Sequence, residues 1–377
     1  MLCMTFWDVP ALEVLFMRTP RLIQILTVLL PHLAFGALST DQPLAPDSLR
    51  SACHPPASNR LMDFSRKFRQ ISPVKSFWPG FDLAQAGVIV ISSDSSSTCS
   101  YTPNSASTEL TELRQPLNID QRPYAFCGGS RLLKCSDYLD DLSYGVLLDL
   151  SSGDRIAKQF RIDSNTLQLN EIVHEAFHLF GQELEPAKSN WPTQFVGVDF
   201  NTRKEIKEKC YRSSAAVESL VEKERLALFA AMETAKGSGR RVELKTRLME
   251  FLAARDQRYR LLEDVRLQDG ALTCASAESA IEMVEGAPDY VAYKTLFESG
   301  LMQASEMLKI DDQLLRANVP GDFGHYYVAG AIELFVIDEL EGGVKGFLSR
   351  AQKEARLTLT EEIRHLTAQS QTWESAK

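Results

Sequence analysis

No C-x-x-C pair occurs anywhere in this chain of 377 residues, although it contains seven cysteines, which argues against a thiolate zinc knuckle. Basic residues are in deficit. Lys and Arg number 41 against 50 Asp and Glu, a formal net charge of -9, which disfavours nucleic acid as a partner. No internal repeat is evident. No apolar run is long enough to span a membrane comfortably, since the longest, residues 22–33, is short and is interrupted by Pro31. Histidine is scarce, with six in the whole chain, so a close pair of them stands out.

The first forty residues have the layout of a secretory signal. Met17-Arg18-Thr19-Pro20-Arg21 gives a basic start, residues 22–33 an apolar stretch, and Ala34-Phe35-Gly36 small residues where a signal peptidase reads. Residues 1–16 carry Asp8 and Glu13 and fit no signal pattern. The expectation is a start at Met17, a signal peptide over 17–36 and a secreted or periplasmic product; an uncleaved anchor helix is the alternative. Removing residues 1–36 leaves Cys53, Cys99, Cys127, Cys135, Cys210 and Cys274. An even count in an exported chain suggests disulfides.

Residues 37–56, rich in Pro, Ser and Asp, form a linker, and a domain spans 57–370. "SNRLMDFSRKF" is a short helix. "AGVIVIS" (86–92) and "YGVLLDL" (144–150) are β-branched apolar runs of strand length. "RIAKQFRI" (155–162) alternates and is expected to pair with the second run across "SSGD". From residue 167 onward the chain reads as helix. Two long helical stretches, 203–236 and 240–265, are joined by "GSG" and form an antiparallel pair. Cys210 and Cys274 fall at the open base of that hairpin, where a disulfide would tie it shut.

"NEIVHEAFHLFG" (170–181) carries the chemistry. Leu169, Ile172, Val173, Ala176, Phe177 and Phe180 recur at helical spacing and define one apolar face, with Gly181 as its stop. His174 and His178 are one turn apart, so both imidazoles can bind one tetrahedral zinc ion. Glu175 then points at the open coordination position, placed to accept a proton from the attacking water. A core helix with two incidental histidines is the alternative. A third ligand is needed, and the position of a third histidine in the longer motif holds Leu184. Two glutamates on later helices are candidates, Glu218 in "AAVESLVEKE" and Glu285 in "IEMVEGAPDYVAY".

Here the sequence resembles the glutamate zincins (gluzincins), the thermolysin-like and aminopeptidase N-like metallopeptidases, which carry H-E-x-x-H followed by a helix with a ligand Glu. Glu285-Gly286-Ala287-Pro288-Asp289-Tyr290 looks like that helix. The resemblance implies that Glu285 is the third ligand, with Glu218 as runner-up, and that Asp289 orients a liganding imidazole. Gly286 would let this helix approach the histidine helix closely. Tyr327-Val328-Ala329-Gly330 looks like the gluzincin Tyr-x-x-Gly, which implies that Tyr327, or the neighbouring His325, stabilises the oxyanion. The resemblance covers residues 144–352. It departs from the family in the distance between His178 and Glu285, which makes 203–265 a helical insertion, and in Pro288 within the helix.

The resulting expectation is an α+β, zincin-like catalytic domain: a small mixed sheet, then a mostly helical half with a long helical hairpin. Zn2+ would be held by His174, His178 and Glu285, with Glu175 as general base and Tyr327 or His325 as oxyanion donor. The activity implied is hydrolysis of peptide or protein substrates, with endopeptidase action favoured because no aminopeptidase-type Gly-Ala-Met-Glu-Asn stretch is present. A non-catalytic zinc-binding protein on the same scaffold, or a zinc hydrolase of a non-peptide amide, are the competing classes.

Overall fold

A computed structural model describes residues 57–74, 77–93, 98–101, 111–112, 124–128, 144–150, 157–158, 163–185, 187–192, 195, 200–235, 241–267, 270–316, 325–354 and 356–369. The signal segment, the linker, Cys53, Cys135 and the "GSG" connection lie outside these residues. The described part is mostly helical, with one small sheet ahead of the helices. It is α+β in that coarse sense.

Helix α1 (Ala57–Ile71) precedes five strands: β1 (Val88–Ser93), β2 (Thr98–Tyr101), β3 (Thr111–Glu112), β4 (Tyr124–Gly128) and β5 (Tyr144–Asp149). Their order is β3-β2-β1-β5-β4. β1 and β5, the two apolar runs, lie parallel at the centre; the remaining pairs are antiparallel. Most of the segment expected to pair with 144–150 lies outside the described residues, which include only Ala157 and Lys158 of 155–162. Both edges of β5 are already taken, by β1 and β4, and Ala157 and Lys158 are helical.

Helix α2 (Ser164–Phe177) carries the histidines. Asp163 caps its start, accepting from the Thr166 N–H at 2.8 Å, and Lys67 of α1 reaches the same carboxylate. Its apolar face, Leu169, Ile172, Val173 and Ala176, packs with Leu61, Phe64 and Phe68 of α1 and Val88, Val90, Val146 and Leu148 of the sheet. That sandwich is the floor of the site.

The helical half follows: α3 (Phe200–Glu205), α4 (Ala215–Ala235), α5 (Arg241–Leu261), the short ribbon β6 (Arg266–Leu267) and β7 (Leu272–Thr273), α6 (Cys274–Glu298), α7 (Ala304–Arg316), α8 (His325–Glu341), α9 (Lys345–Ala351) and α10 (Leu359–Gln369). The stretch expected as one helix over 203–236 is broken. After α3 the chain widens into a π turn, Ile206–Tyr211, and leaves helix at Arg212, and Ser214 caps α4 through the Val217 N–H. Cys210, in that turn, is joined to Cys274, the first residue of α6. α8 is buried on every side from His325 to Ile337 and is the central helix of this half. Among the described residues no helix is long and apolar enough to cross a membrane.

The hairpin α4/α5 is built into the core by charge as well as by packing. Arg255 and Arg258 of α5 are fully buried. Arg255 meets Glu224 of α4, Glu282 of α6 and Glu333 of α8; Arg258 meets Glu224 and Glu278. Glu278 and Glu282 are therefore not a solvated helix face.

Candidate metal centre

Two glycines set the helix spacing around the site. A Cβ on Gly286 would lie 2.5 Å from the Gly330 backbone, and one on Gly330 would lie 2.0 Å from the Glu282 carbonyl oxygen. No side chain fits either way, so α6 and α8 touch backbone to backbone. The close approach expected of Gly286 is thus toward α8 rather than toward the histidine helix. It places Tyr327, about one turn before Gly330, against His174, with ring centroids 6.2 Å apart and planes 27° apart. Gly181 does not stop α2, as the sequence suggested. Beyond Phe177 the helix widens into a π turn, His178–Glu183, and a Cβ on Gly181 would meet the Phe177 ring at 2.6 Å. Such widened turns recur at functional sites.

His174, His178 and Glu285 converge. The two Nε2 atoms are 3.0 Å apart, and Glu285 Oε2 is 3.2 Å from His178 Nε2 and 3.7 Å from His174 Nε2. A tetrahedral zinc ion with ligands at about 2.0–2.1 Å needs ligand atoms roughly 3.3–3.4 Å apart, and this triangle has that size. Among the described residues these three form one of two groupings of potential metal ligands. The other, Cys210, Cys274 and Glu278, is closed by the disulfide. Glu285 is fully buried, while His174 and His178 keep 8% and 6% of their surface. Glu218 is exposed on α4 and is not part of the cluster.

Each imidazole is oriented from behind. Asp289, one turn after Glu285, lies 2.6 Å from His174 Nδ1. A carboxylate accepts, so Nδ1 carries the hydrogen and Nε2 presents a lone pair. His178 Nδ1 lies 2.8 Å from Gln182 Oε1, and Gln182 Nε2 donates to the Val284 carbonyl at 2.8 Å. The amide is thus held with its oxygen toward His178, which gives that ring the same tautomer. The Val284 carbonyl is available because Pro288, four residues on, has no N–H to offer it. The proline that looked anomalous in a helix supplies the anchor for a histidine.

With both Nδ1 atoms carrying hydrogen, the 3.0 Å approach of the two Nε2 atoms beside a carboxylate calls for positive charge between them, either a proton on one ring or a cation. The electrostatics express the same demand. Burial opposes a charge on His174, yet Asp289 and Glu285 raise its pKa well above the ordinary value. Burial pushes the Asp289 carboxyl up, against the pull of His174. Burial alone would raise the Glu285 carboxyl too, but Arg203 and His178 hold it well below the usual range.

Arg203 is the site residue that sequence reasoning missed. Its Nη2 is 2.6 Å from Glu285 Oε1 and its Nη1 is 3.4 Å from the Tyr327 hydroxyl. Nothing in the local pattern "NTRKEIK" marks it, since its partners lie on α6 and α8. Gln182 was also missed; its spacing of four from His178 was the available signal. Glu175 is 2% exposed, on the same helix between the two histidines, and its charge is felt by His174. His325 is placed elsewhere. It lies beside Glu224 at 3.8 Å, edge-on to Tyr211 with centroids 5.6 Å apart, among the buried arginines, where burial lowers its pKa against the pull of Glu224.

No family model, no curated protein and no solved structure matches the chain. What the site does must be argued from its own atoms.

Proposed function

We propose that the protein is a zinc-dependent peptidase of the gluzincin type, with His174, His178 and Glu285 as ligands and Glu175 as general base. The observation that carries the reading is the triangle of donor atoms, with edges of 3.0, 3.2 and 3.7 Å, two of them imidazole lone pairs fixed by Asp289 and Gln182. The donor set, two imidazoles and a carboxylate, is one that zinc favours in hydrolytic sites. Zinc in that position supplies Lewis acidity and a water of lowered pKa.

The chain's own residues do the rest. Glu175 takes the proton of the attacking water and passes it to the leaving amine. Its burial removes competing solvent and strengthens that interaction. Tyr327, stacked on His174, donates to the oxygen that becomes negatively charged as the carbonyl is attacked. His325, among the buried arginines, serves the packing of α8 instead. Asp289 and Gln182 keep both imidazoles in the liganding tautomer. The basic-apolar-small layout of residues 17–36 supports export, and hence action on extracytoplasmic peptides or proteins, with endopeptidase action favoured.

Glu175 separates this reading from a binding protein that merely keeps a metal, since such a protein needs no buried carboxylate next to its ligands. The test is metal content of the purified protein together with cleavage of a peptide mixture. About one zinc per chain and cleavage abolished by a chelator are expected. A protein that takes up no zinc, or cleaves equally well without it, would overturn the proposal.

A further inference from the structure

We propose that Arg203 is a positioning residue that makes Glu285 a one-oxygen ligand and sets the place of the Tyr327 phenol. This rests on the metal reading above. A carboxylate can bind a cation through one oxygen or both, and the choice changes coordination number and the room left for substrate. Here Oε1 is held at 2.6 Å by Arg203 Nη2, while Oε2 faces the two imidazoles. The oxygens have been assigned different partners by one guanidinium.

The other arm of the fork reaches Tyr327. Arg203 Nη1 donates toward the phenol oxygen at 3.4 Å, which directs the phenol's own hydrogen elsewhere. An arginine is suited to this because its planar fork addresses two acceptors at a fixed separation; lysine, a single point charge on a flexible stem, does not. Arg203 is itself only 8% exposed, so its position is set by packing.

Its carrier is fixed too. α3 and the π turn after it form one continuous helical piece, residues 200–211. That piece is tied to α6 twice: by Arg203 to Glu285, and by the disulfide from Cys210 to Cys274. The two rungs are separated by six intervening residues on one partner and ten on the other, so the covalent rung limits how far the arginine can drift along α6.

Cobalt(II) substitution reads this directly, because its visible absorption reports coordination number and geometry. Wild type, Arg203→Lys and Arg203→Met are loaded with cobalt, their spectra recorded and their metal affinities measured by chelator competition. Arg203→Met should show weaker and shifted bands and bind about 10- to 100-fold less tightly, the range seen when a ligand's supporting partner is removed. Arg203→Lys should fall between it and wild type, since an ammonium can still meet Oε1 but cannot fork to Tyr327. A purely structural role would lower thermal stability in both variants and leave the bands of the folded protein alone. Bands and affinity unchanged in Arg203→Met, or in Arg203→Lys where the methionine variant does not fold, would overturn the role of Arg203 and leave the metal reading standing. A wild type that takes up no cobalt would overturn both.

Discussion

Replacing Pro288 by alanine should separate stability from metal binding, because this proline sits in a helix for the sake of the site. Proline in a helix interior costs about 3 kcal/mol relative to alanine. Three effects offset that gain in Pro288→Ala. The ring is buried, and removing about two methylenes forfeits roughly 0.8 kcal/mol each. The unfolded chain regains freedom worth about 0.4–1 kcal/mol. The Val284 carbonyl already has a donor in Gln182, so the restored helical hydrogen bond replaces one rather than adding one. The expected balance is a change between zero and about 1 kcal/mol in favour of the variant, by the same estimates. The metal site should pay for it. The alanine N–H at position 288 competes for the Val284 carbonyl, Gln182 loses its anchor, and His178 loses its fixed tautomer. Zinc affinity should fall about tenfold or more. Gln182→Ala is the companion measurement: it should lose comparable affinity with no gain in stability, and the double variant should lose little more than either single one, because the two act through one contact. Urea unfolding and chelator competition provide the numbers. A Pro288→Ala protein that loses about 2 kcal/mol or more of stability yet binds zinc as wild type does would show the proline to be plain packing, and the coupling to His178 would be wrong.

Four further outcomes follow from the same geometry. Glu175→Gln should keep its zinc and lose peptide cleavage by on the order of a hundredfold or more; equal rates at equal metal content would dismiss it as the base. Glu285→Ala should lose metal while Glu218→Ala, on an exposed face, retains it and changes stability by no more than about 0.5 kcal/mol; the reverse order under chelator titration would move the third ligand to α4. Peptide mapping without reductant should recover Cys210 linked to Cys274; free thiols at both positions in protein from an oxidising compartment would remove the covalent rung. Burial raises the Glu333 carboxyl to about 7, against the pull of Arg255, so the folded state favours its protonated form: its contribution is complete below the ordinary glutamate range and is lost as pH rises through about 7. Glu333→Gln should therefore gain stability relative to wild type between pH 5 and 8 in melting experiments; a constant difference across that range would contradict the assignment.

The part of the site that sequence could reveal was the part made within one helix. His174, Glu175 and His178 are marked by one short motif on one helix, and the structure brings the two histidines together. Glu285 and Asp289 needed a resemblance, and the structure brings both to the histidines. The central strands β1 and β5 were legible as apolar runs. Their pairing was not, because an alternating segment such as 155–162 says nothing about which strand edges remain open. The expected helix over 203–236 failed at Arg212, where no glycine or proline announces a break. Arg203 was invisible for a different reason: an ion pair reaching from α3 to α6 leaves no trace in the local pattern of either helix.

Helix α6 shows why such reading errs where it does. Glu278, Glu282, Glu285 and Asp289 recur at spacings of four, three and four, which aligns them on one face of a helix. An acidic stripe of this kind ordinarily faces water. Here all four are buried, at a cost that an apolar stripe would have avoided. Burial is tolerable because each acid meets a cation or a donor: Arg258 for Glu278, Arg255 for Glu282, Arg203 for Glu285 and His174 for Asp289. The account does not balance at the histidine end. Arg255 and Arg258 also serve Glu224 and Glu333, and Glu175 adds one more buried carboxylate beside His174. Arg203 meets only Oε1 of Glu285, so its Oε2 and the two imidazole Nε2 atoms beside it have no arginine between them. A divalent cation there would neutralise the stripe on the side that Arg203 does not cover, which is how the buried acids support the proposed metal.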